Sequence, residues 1–515
     1  MKYTINTEEI GSCACDVLVV GVWKTDSINI NVPALSSTLN SAIKVELKRR
    51  SFTGKDGEMS MMPVLGEGKI KHVLFAGMGE KKKFQDTHLR SMAARIVKQV
   101  NSIKAKNIVL DQTITSAIKK SIEGAQYLVE GFELGSYGFT SFRKQTQKNE
   151  EKKKTLTEVA ISLKDGKQAK ELERGIEIGQ IYSSGTILAR DLVNTPAMSM
   201  HPGEMVKVAE SLSGRGTGIT CKVRGREEME KLGMHASIAV AMGSIHEPKF
   251  VHLVYKPNNQ SRKHGTSNER RATIKKVVLI GKAVTFDAGG LNLKPENGMT
   301  DMKIDMAGSA SVLGVFKALP DLKPNVEIHG LFIAVENMPG GRAYRPGDVI
   351  SAMDGTTIEV ENTDAEGRIT LADALAFASL KIKPDYMIDL ATLTGAVIIA
   401  LGSEITGMLG TSPDIKKALN VASKQSGEHV WELPMHAHYR ELIKSKIADV
   451  RNVGGRPAGV ITAAQFLEKF IHDIPWVHLD IAGPSYAEKE FKPETPIGGT
   501  GWGVRMLLNY LRDLK

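Results

Sequence analysis

Apolar positions in the first ~160 residues fall into short aliphatic runs separated by stretches of helical period. CDVLVVGVW, KHVLFAGMG and KNIVLD read as strands, and HLRSMAARIVKQVNSI and AQYLVEGFELGSYGF as helices. This alternation predicts an α/β fold with a parallel or mixed sheet covered by helices. A long helical pattern, KQAKELERGIEIGQIYSSGTILARDLVN, stops at Thr195 before Pro196, as helices do before proline. It is the natural connector of two domains. The expected division is an N-terminal domain over 1–165, a connecting helix over 166–195 and a C-terminal domain over 196–515. The second part carries four strong strand signals, KKVVLIG, VEIHGLFIAV, DYMIDL and WVHLDIAG, with SASVLGVFKAL and LADALAFASL as helices between them. VISAMDGTTIEV sets Asp354 and Gly355 between alternating runs, which predicts a hairpin. The segments 143–154 and 260–273 are polar and read as exposed excursions. No fixed period repeats.

Composition narrows the class. The 515 residues suffice for more than one domain, and 42% hydrophobic with 24% charged residues is ordinary for a globular protein. Aromatics are only 5%, so an aliphatic core with methionine filling gaps is expected. No apolar run approaches the ~20 residues that span a bilayer. The N-terminus, acidic ahead of a short apolar part, does not read as a signal peptide. Three cysteines, Cys13, Cys15 and Cys221, point to a reducing compartment, most simply the cytoplasm. Cys13 and Cys15 have no second pair to complete a zinc site. The net charge of +10 admits a polyanion partner, yet the runs Lys81–Lys83 and Lys152–Lys154 lie in turn-like surroundings and read as solvated surface.

The candidate chemistry gathers in the second part. In VENTDAEGRITLADAL, Asp364, Glu366 and Arg368 occupy alternate positions before a helical run. If the chain is extended there, all three share one face. Two neighbouring carboxylates repel, and burying them requires positive charge, from Arg368 or from a metal. Directly after the strand VVLI come Lys282, Asp287, the pair Gly289 and Gly290, Lys294 and Asp305, the last just before a helix start where the dipole favours a carboxylate. No HExxH, GxSxG or GxxxxGK[ST] motif is present. Gly499, Gly501 and Gly503 lie too near the C-terminus for a nucleotide loop and read as turn glycines. His436 and His438 lack a carboxylate at ligand spacing. His478 and Asp480 read as satisfied polar groups near a strand end.

NTDAEGRITLADAL resembles the signature of the leucyl aminopeptidases, the M17 family of cytosolic metallo-exopeptidases. ARDLVNTPA, GKAVTFDAGGLNLKP, MKIDMAGSASVLG, AVENMPGGRAYRPGDV, DLATLTGA, NVGGRPAGVITAAQFL and HLDIAG extend the likeness over most of the chain. The resemblance implies a smaller N-terminal macrodomain-like α/β domain and a larger C-terminal catalytic α/β domain whose mixed central sheet is flanked by helices. It also implies a homohexamer acting on peptides with a free N-terminus, preferably leucine-like, and no membrane partner. Two divalent ions per subunit are implied, Mn or Zn with Mg or Co as alternatives, held by Lys282, Asp287, Asp305, Asp364 and Glu366. Asp287 and Glu366 would bridge the ions. Asp364 would hold the more exchangeable ion, Lys282 and Asp305 the tighter one. Lys294 and Arg368 match the catalytic residues, with bicarbonate held by Arg368 as general base. Lys282 would ligate as a neutral amine, its pKa depressed by burial and two dications, while Lys294 would stay charged. Met302, Thr392 and Gly395 are expected pocket walls. Two positions depart from the pattern: Ala288, where many members carry Ser or Thr, and Trp502, where smaller or polar residues are commoner. The net charge keeps a nucleic-acid-binding role open as an alternative, but no recognition module is visible and the lysines lie mostly in loops.

Overall fold

The computed structural model describes residues 1–7, 14–26, 30–65, 69–144, 156–164, 166–257 and 274–514. Cys13 and most of the two polar excursions lie outside the described residues. The chain forms two compact units, one of Met1–Ser183 with Glu490–Pro496, the other of Ser184–Lys489 with Ile497–Lys515.

The first unit is built on strands β1 (Lys2–Asn6), β2 (Cys15–Trp23), β3 (Met59–Pro63), β4 (Ile70–Gly79), β5 (Asn107–Leu110) and β6 (Glu158–Ser162) in the order β1-β6-β5-β2-β4-β3. All neighbours run parallel except β3, which is antiparallel to β4. Central β2 and β4 are buried almost end to end, as parallel strands covered on both faces must be. Helices His88–Ser102 and Ser121–Gly135 cover one face over Val17, Val19, Leu74 and Ala76. Helix Ser37–Arg49 covers the other over Leu18, Val20 and Phe75.

The second unit carries a nine-stranded mixed sheet that includes β7 (Ile219–Arg224), β8 (Lys249–Tyr255), β9 (Lys276–Gly281), β10 (Ala283–Asp287) and β11 (Glu327–Asn337). β9 lies between β11 and the strand Tyr386–Ala391, parallel to both, and Tyr386–Ala391 pairs in parallel with Trp476–Asp480. The four expected strands are all present, but the sheet is wider than they indicated: β7, β8, β10, Ile405–Gly410 and His429–Glu432 complete it. The Asp354–Gly355 hairpin forms between Val349–Ser351 and Thr357–Glu359, with Gly355 at φ +89°. The long helical pattern is one helix, Ala169–Asn194. No helix among the described residues is long and apolar enough to cross a membrane.

Candidate metal centre and active site

β9 ends at Gly281, and Lys282 leaves the strand with its backbone pinned on both sides. Its N–H donates to Leu390 O at 3.0 Å and its carbonyl accepts from Ser309 N at 2.9 Å. Asp287 ends β10. Asp305 lies in the turn before helix Ala307–Leu322. Asp364 occupies a turn, and Glu366 opens helix Glu366–Phe377. The acidic alternation is therefore not on extended chain: a turn and the first helical turn bring Asp364 and Glu366 together, and Arg368 departs from them on the helix.

These residues converge. Oxygens of Asp287, Asp364 and Glu366 all lie within 4.8 Å of one another. Lys282 Nζ is 2.7 Å from Asp305 Oδ1 and 2.9 Å from Glu366 Oε1, and donates to Thr392 O at 2.9 Å. Lys294 Nζ is 2.8 Å from Asp287 Oδ2 and 2.6 Å from Asp364 Oδ1. Burial by itself would lower the Lys282 pKa. The charges of Asp305, Glu366 and Asp287 outweigh it and hold the ammonium above its ordinary value. The expected depression of Lys282 thus belongs to an ion-loaded site, because only dications reverse the sign of that field. Lys294 is likewise raised, by Asp287 and Glu366 against burial, and stays protonated. Asp287, Asp364 and Asp305 are all pushed up, by burial first and then by neighbouring carboxylates.

The donor set fits divalent cations. Among the described residues, Asp305 Oδ2, Asp364 Oδ1 and Glu366 Oε1 are buried without an aligned hydrogen bond, although two of them touch ammonium nitrogens. Buried carboxylate oxygens in this condition require positive charge at several points. Four carboxylates and one amine offer the hard oxygen set plus a single nitrogen that suits Mn, Zn or Co.

Other positions are supplied by the fold. Arg368 is buried, which brings its pKa down to about 10 against the pull of Glu366 and Asp480. Its Nη1 donates to Asn452 O at 2.8 Å, and its Nε has no hydrogen-bond partner among the described residues. Thr392 Oγ1 donates to Asp305 Oδ1 at 2.7 Å, so this residue supports the acidic group directly. Met302 is half-buried at the start of a short 3₁₀ turn. Gly395 opens helix Gly395–Leu401, with open space where a Cβ would stand.

Family models match the chain twice, the cytosol aminopeptidase family catalytic domain over residues 187–508 and its N-terminal domain over 19–146. The chain belongs to the cytosol aminopeptidase family. A probable cytosol aminopeptidase of Aquifex aeolicus is 41% identical over 93% of this chain and 92% of its own. One of Persephonella marina is 41% identical over 99% of both. Among solved structures, the bottromycin maturation enzyme BotP in complex with Mn superposes with a TM-score of 0.83 at 32% identity, covering 97% of this chain and 99% of that one. A mutant tomato leucine aminopeptidase superposes with a TM-score of 0.86 at 31% identity, covering 100% and 97%. This aminopeptidase is thus a metal-dependent hydrolase that removes N-terminal residues from peptides, and it binds divalent metal.

Several supports of the aminopeptidase site escaped sequence reasoning. Asn337, fully buried at the end of β11, donates through Nδ2 to Asp287 Oδ1 at 2.8 Å and to Thr363 O at 3.0 Å. Tyr344 Oη donates to the same carbonyl at 2.7 Å. Thr363 Oγ1 donates to Gly289 O at 2.6 Å and accepts from Asn292 N at 2.8 Å, tying the two acidic loops together. The one available signal was a polar residue closing an otherwise apolar strand. Gly367 has a steric reason: a Cβ there would stand 2.3 Å from Lys282 Cε. Ala288 is buried and takes part through its backbone, its N–H donating to Asn337 O at 2.9 Å. Trp502 is nearly buried, and its carbonyl accepts from Ser311 Oγ at 2.6 Å. Asp480 is satisfied by Thr394 Oγ1 at 2.7 Å and Leu393 N at 3.2 Å. His478 is satisfied on one side only: Nδ1 meets Asp389 Oδ1 at 2.6 Å, while buried Nε2 has no hydrogen-bond partner among the described residues.

Proposed function

We propose that Lys282, Asp287, Asp305, Asp364 and Glu366 hold two divalent ions per subunit, with Mn or Zn as the working metals and Mg or Co as substitutes. Asp287 and Glu366 would bridge the pair, Asp364 the more exchangeable ion, Lys282 and Asp305 the tighter one. The observation that carries this reading is the convergence of the acidic oxygens of Asp287, Asp364 and Glu366 with two lysines as their close counter-charges. Bound ions supply Lewis-acid polarisation and a water of lowered pKa.

The chain's own residues do the rest. Lys294, held protonated, aims a positive charge at the carbonyl oxygen that becomes negative during hydrolysis. Arg368 presents a buried guanidinium whose Nε is unclaimed, a fork suited to a planar oxyanion, and bicarbonate is the anion proposed there. Held by Arg368, that anion would supply a general base, a role for which no histidine or spare glutamate stands near the acids among the described residues. Met302, Thr392 and Gly395 are proposed to shape the pocket for a leucine-like side chain. The 1–165, 166–195 and 196–515 division is proposed as the functional organisation, in a homohexamer acting in the cytoplasm.

The test is hydrolysis of leucine p-nitroanilide before and after chelation, with Mn²⁺, Zn²⁺ or Co²⁺ returned singly. Activity lost on chelation and restored by ions is expected, with two ions bound per chain. Asp364→Ala and Glu366→Ala should each abolish turnover while the oligomer mass is unchanged. Full turnover in both variants overturns the ligand assignment.

A further inference from the structure

The N-terminal unit holds a second concave site. A cavity of about 310 Å³ opens at the carboxyl ends of β2 and β4, lined by Lys24, Lys55, Lys83 and His88 over a floor that includes Met78 and Phe84. β2 and β4 are adjacent parallel strands, yet the helices that follow them, Ser37–Arg49 and His88–Ser102, pack on opposite faces of the sheet. That divergence opens a crevice at the strand ends, where open α/β sheets take ligands.

The crevice is built and not merely left over. Glu58 folds back and accepts from Thr53 N at 2.8 Å and Lys55 N at 3.1 Å, which fixes the loop that presents Lys55. Gly77 lets this loop press onto β4, since a Cβ there would stand 2.0 Å from Lys55 O. Gly54, at φ +77°, accepts through its carbonyl from Gly79 N at 2.9 Å. Buried Phe84 is locked edge-on against Trp23 at 5.1 Å and lies against His88 at 5.6 Å.

The polar lining is rich in donors. Both carboxylates beside the crevice are already engaged: Glu80 lies 3.4 Å from Lys24 and 2.9 Å from Lys83, and Asp56 lies 3.2 Å from Arg95. Lys55 makes no ion pair among the described residues. His88 Nδ1 accepts from Gln85 N at 3.0 Å, so the neutral ring carries its proton on Nε2 as a donor. Lys24 and Lys83 share the one carboxylate of Glu80, so with Lys55 they leave a surplus of positive charge, and this surplus and an imidazole N–H above an aromatic and a thioether match a ligand with several anionic oxygens on an apolar body. Lysines serve phosphate as point charges, and three exceed what one carboxylate can use.

We propose that this crevice binds small phosphate monoesters of apolar or aromatic alcohols, independently of peptide hydrolysis. The probe is phenyl phosphate, titrated calorimetrically at low salt into the full-length, metal-loaded enzyme, with inorganic phosphate and phenol as parallel arms. Phenyl phosphate should saturate one site per chain, inorganic phosphate should bind about tenfold more weakly for want of the floor, and phenol should not bind. Lys55→Ala should weaken phenyl phosphate about tenfold, the loss of one charge-assisted contact, and Lys55→Arg should restore it. Leucine p-nitroanilide turnover should be the same in all three proteins. No binding at low salt overturns the proposal. So does equal affinity for inorganic phosphate and phenyl phosphate, or an affinity that Lys55→Ala leaves unchanged.

Discussion

A glycine sets the tightest constraint on the centre. Gly367 is helical, so its backbone would accept alanine and gain helix propensity. Its Cβ, however, would stand 2.3 Å from Lys282 Cε and 2.6 Å from Lys282 Nζ, and the lysine would have to leave Asp305 and Glu366. Gly367→Ala should therefore cost on the order of a hundredfold in turnover with little loss of melting temperature. Metal content measured beside activity should fall with it; normal content and rate would show that Lys282 has room to move. Asn337 acts in the same way from the other side of the acidic group. Asn337→Leu removes the donors to Asp287 Oδ1 and Thr363 O, leaving buried acceptors short of partners at a cost of roughly 1–3 kcal/mol. The expected result is a lower denaturation midpoint together with weaker metal affinity. Asp364, Glu366 and Arg368 stand out in the sequence because charged residues directly before an apolar helix are conspicuous. Asn337, Thr363 and Gly367 do not, since an amide, a hydroxyl and a glycine become informative only when the atoms they face are known.

Among the elements, antiparallel β8 and β11 place a titrating pair in the sheet. His252 Nε2 meets His329 Nδ1 at 2.8 Å, and His329 Nε2 meets Glu327 Oε1 at 2.8 Å. Burial first, then His329, Arg224 and Lys222, bring the His252 pKa down to about 3. Between pH 6.5 and 3 the unfolded chain holds a proton on this residue that the folded chain does not. Stability therefore rises with pH across that window and is lost as pH falls through it. Urea unfolding of the wild type and of His252→Gln at pH 7 and pH 5 should show the wild type losing on the order of 2 kcal/mol more on acidification. Parallel pH dependence of the two proteins would remove this residue from the account. β8 also shows what pattern reading finds and what it passes over. β9, β11, Tyr386–Ala391 and Trp476–Asp480 are buried on both faces and read as mostly apolar runs, with polar residues such as His329, Asp389 and His478 set among them. β1 and β7 lie at sheet edges, β1 without a buried residue and β7 with Ile219 alone buried, so hydrophobicity alone gives them no outline. The antiparallel hairpin was legible for another reason, because its turn needs a residue at positive φ and Gly355 supplies it.

At the scale of the molecule, the acidic centre runs against the chain's net charge of +10. Its residues arrive from the end of β10, from the position after β9, from a helix start and from turns, so each is a sequence neighbour only of its own motif. Local pattern marks each motif as polar next to an apolar element, and only the closure of the sheet brings Asp287 and Asp305 to Asp364 and Glu366. In the unfolded chain these groups are solvated and far apart, so divalent ions bind the folded state far better than the unfolded one. Ion binding must then stabilise the fold by mass action, by about 2.7 kcal/mol at a hundred times the dissociation constant. The melting temperature of chelator-treated protein should consequently climb by a few degrees as Mn²⁺ or Zn²⁺ is titrated in, with a logarithmic dependence on ion concentration above saturation. Glu366→Ala should flatten that rise, because it removes one of the converging oxygens and leaves Lys282 with one fewer counter-charge. Lys55→Ala, in the other unit, should leave the rise intact. A melting temperature that ignores the ions in the wild type, or that responds equally in Glu366→Ala, would place the bound metal elsewhere on the molecule.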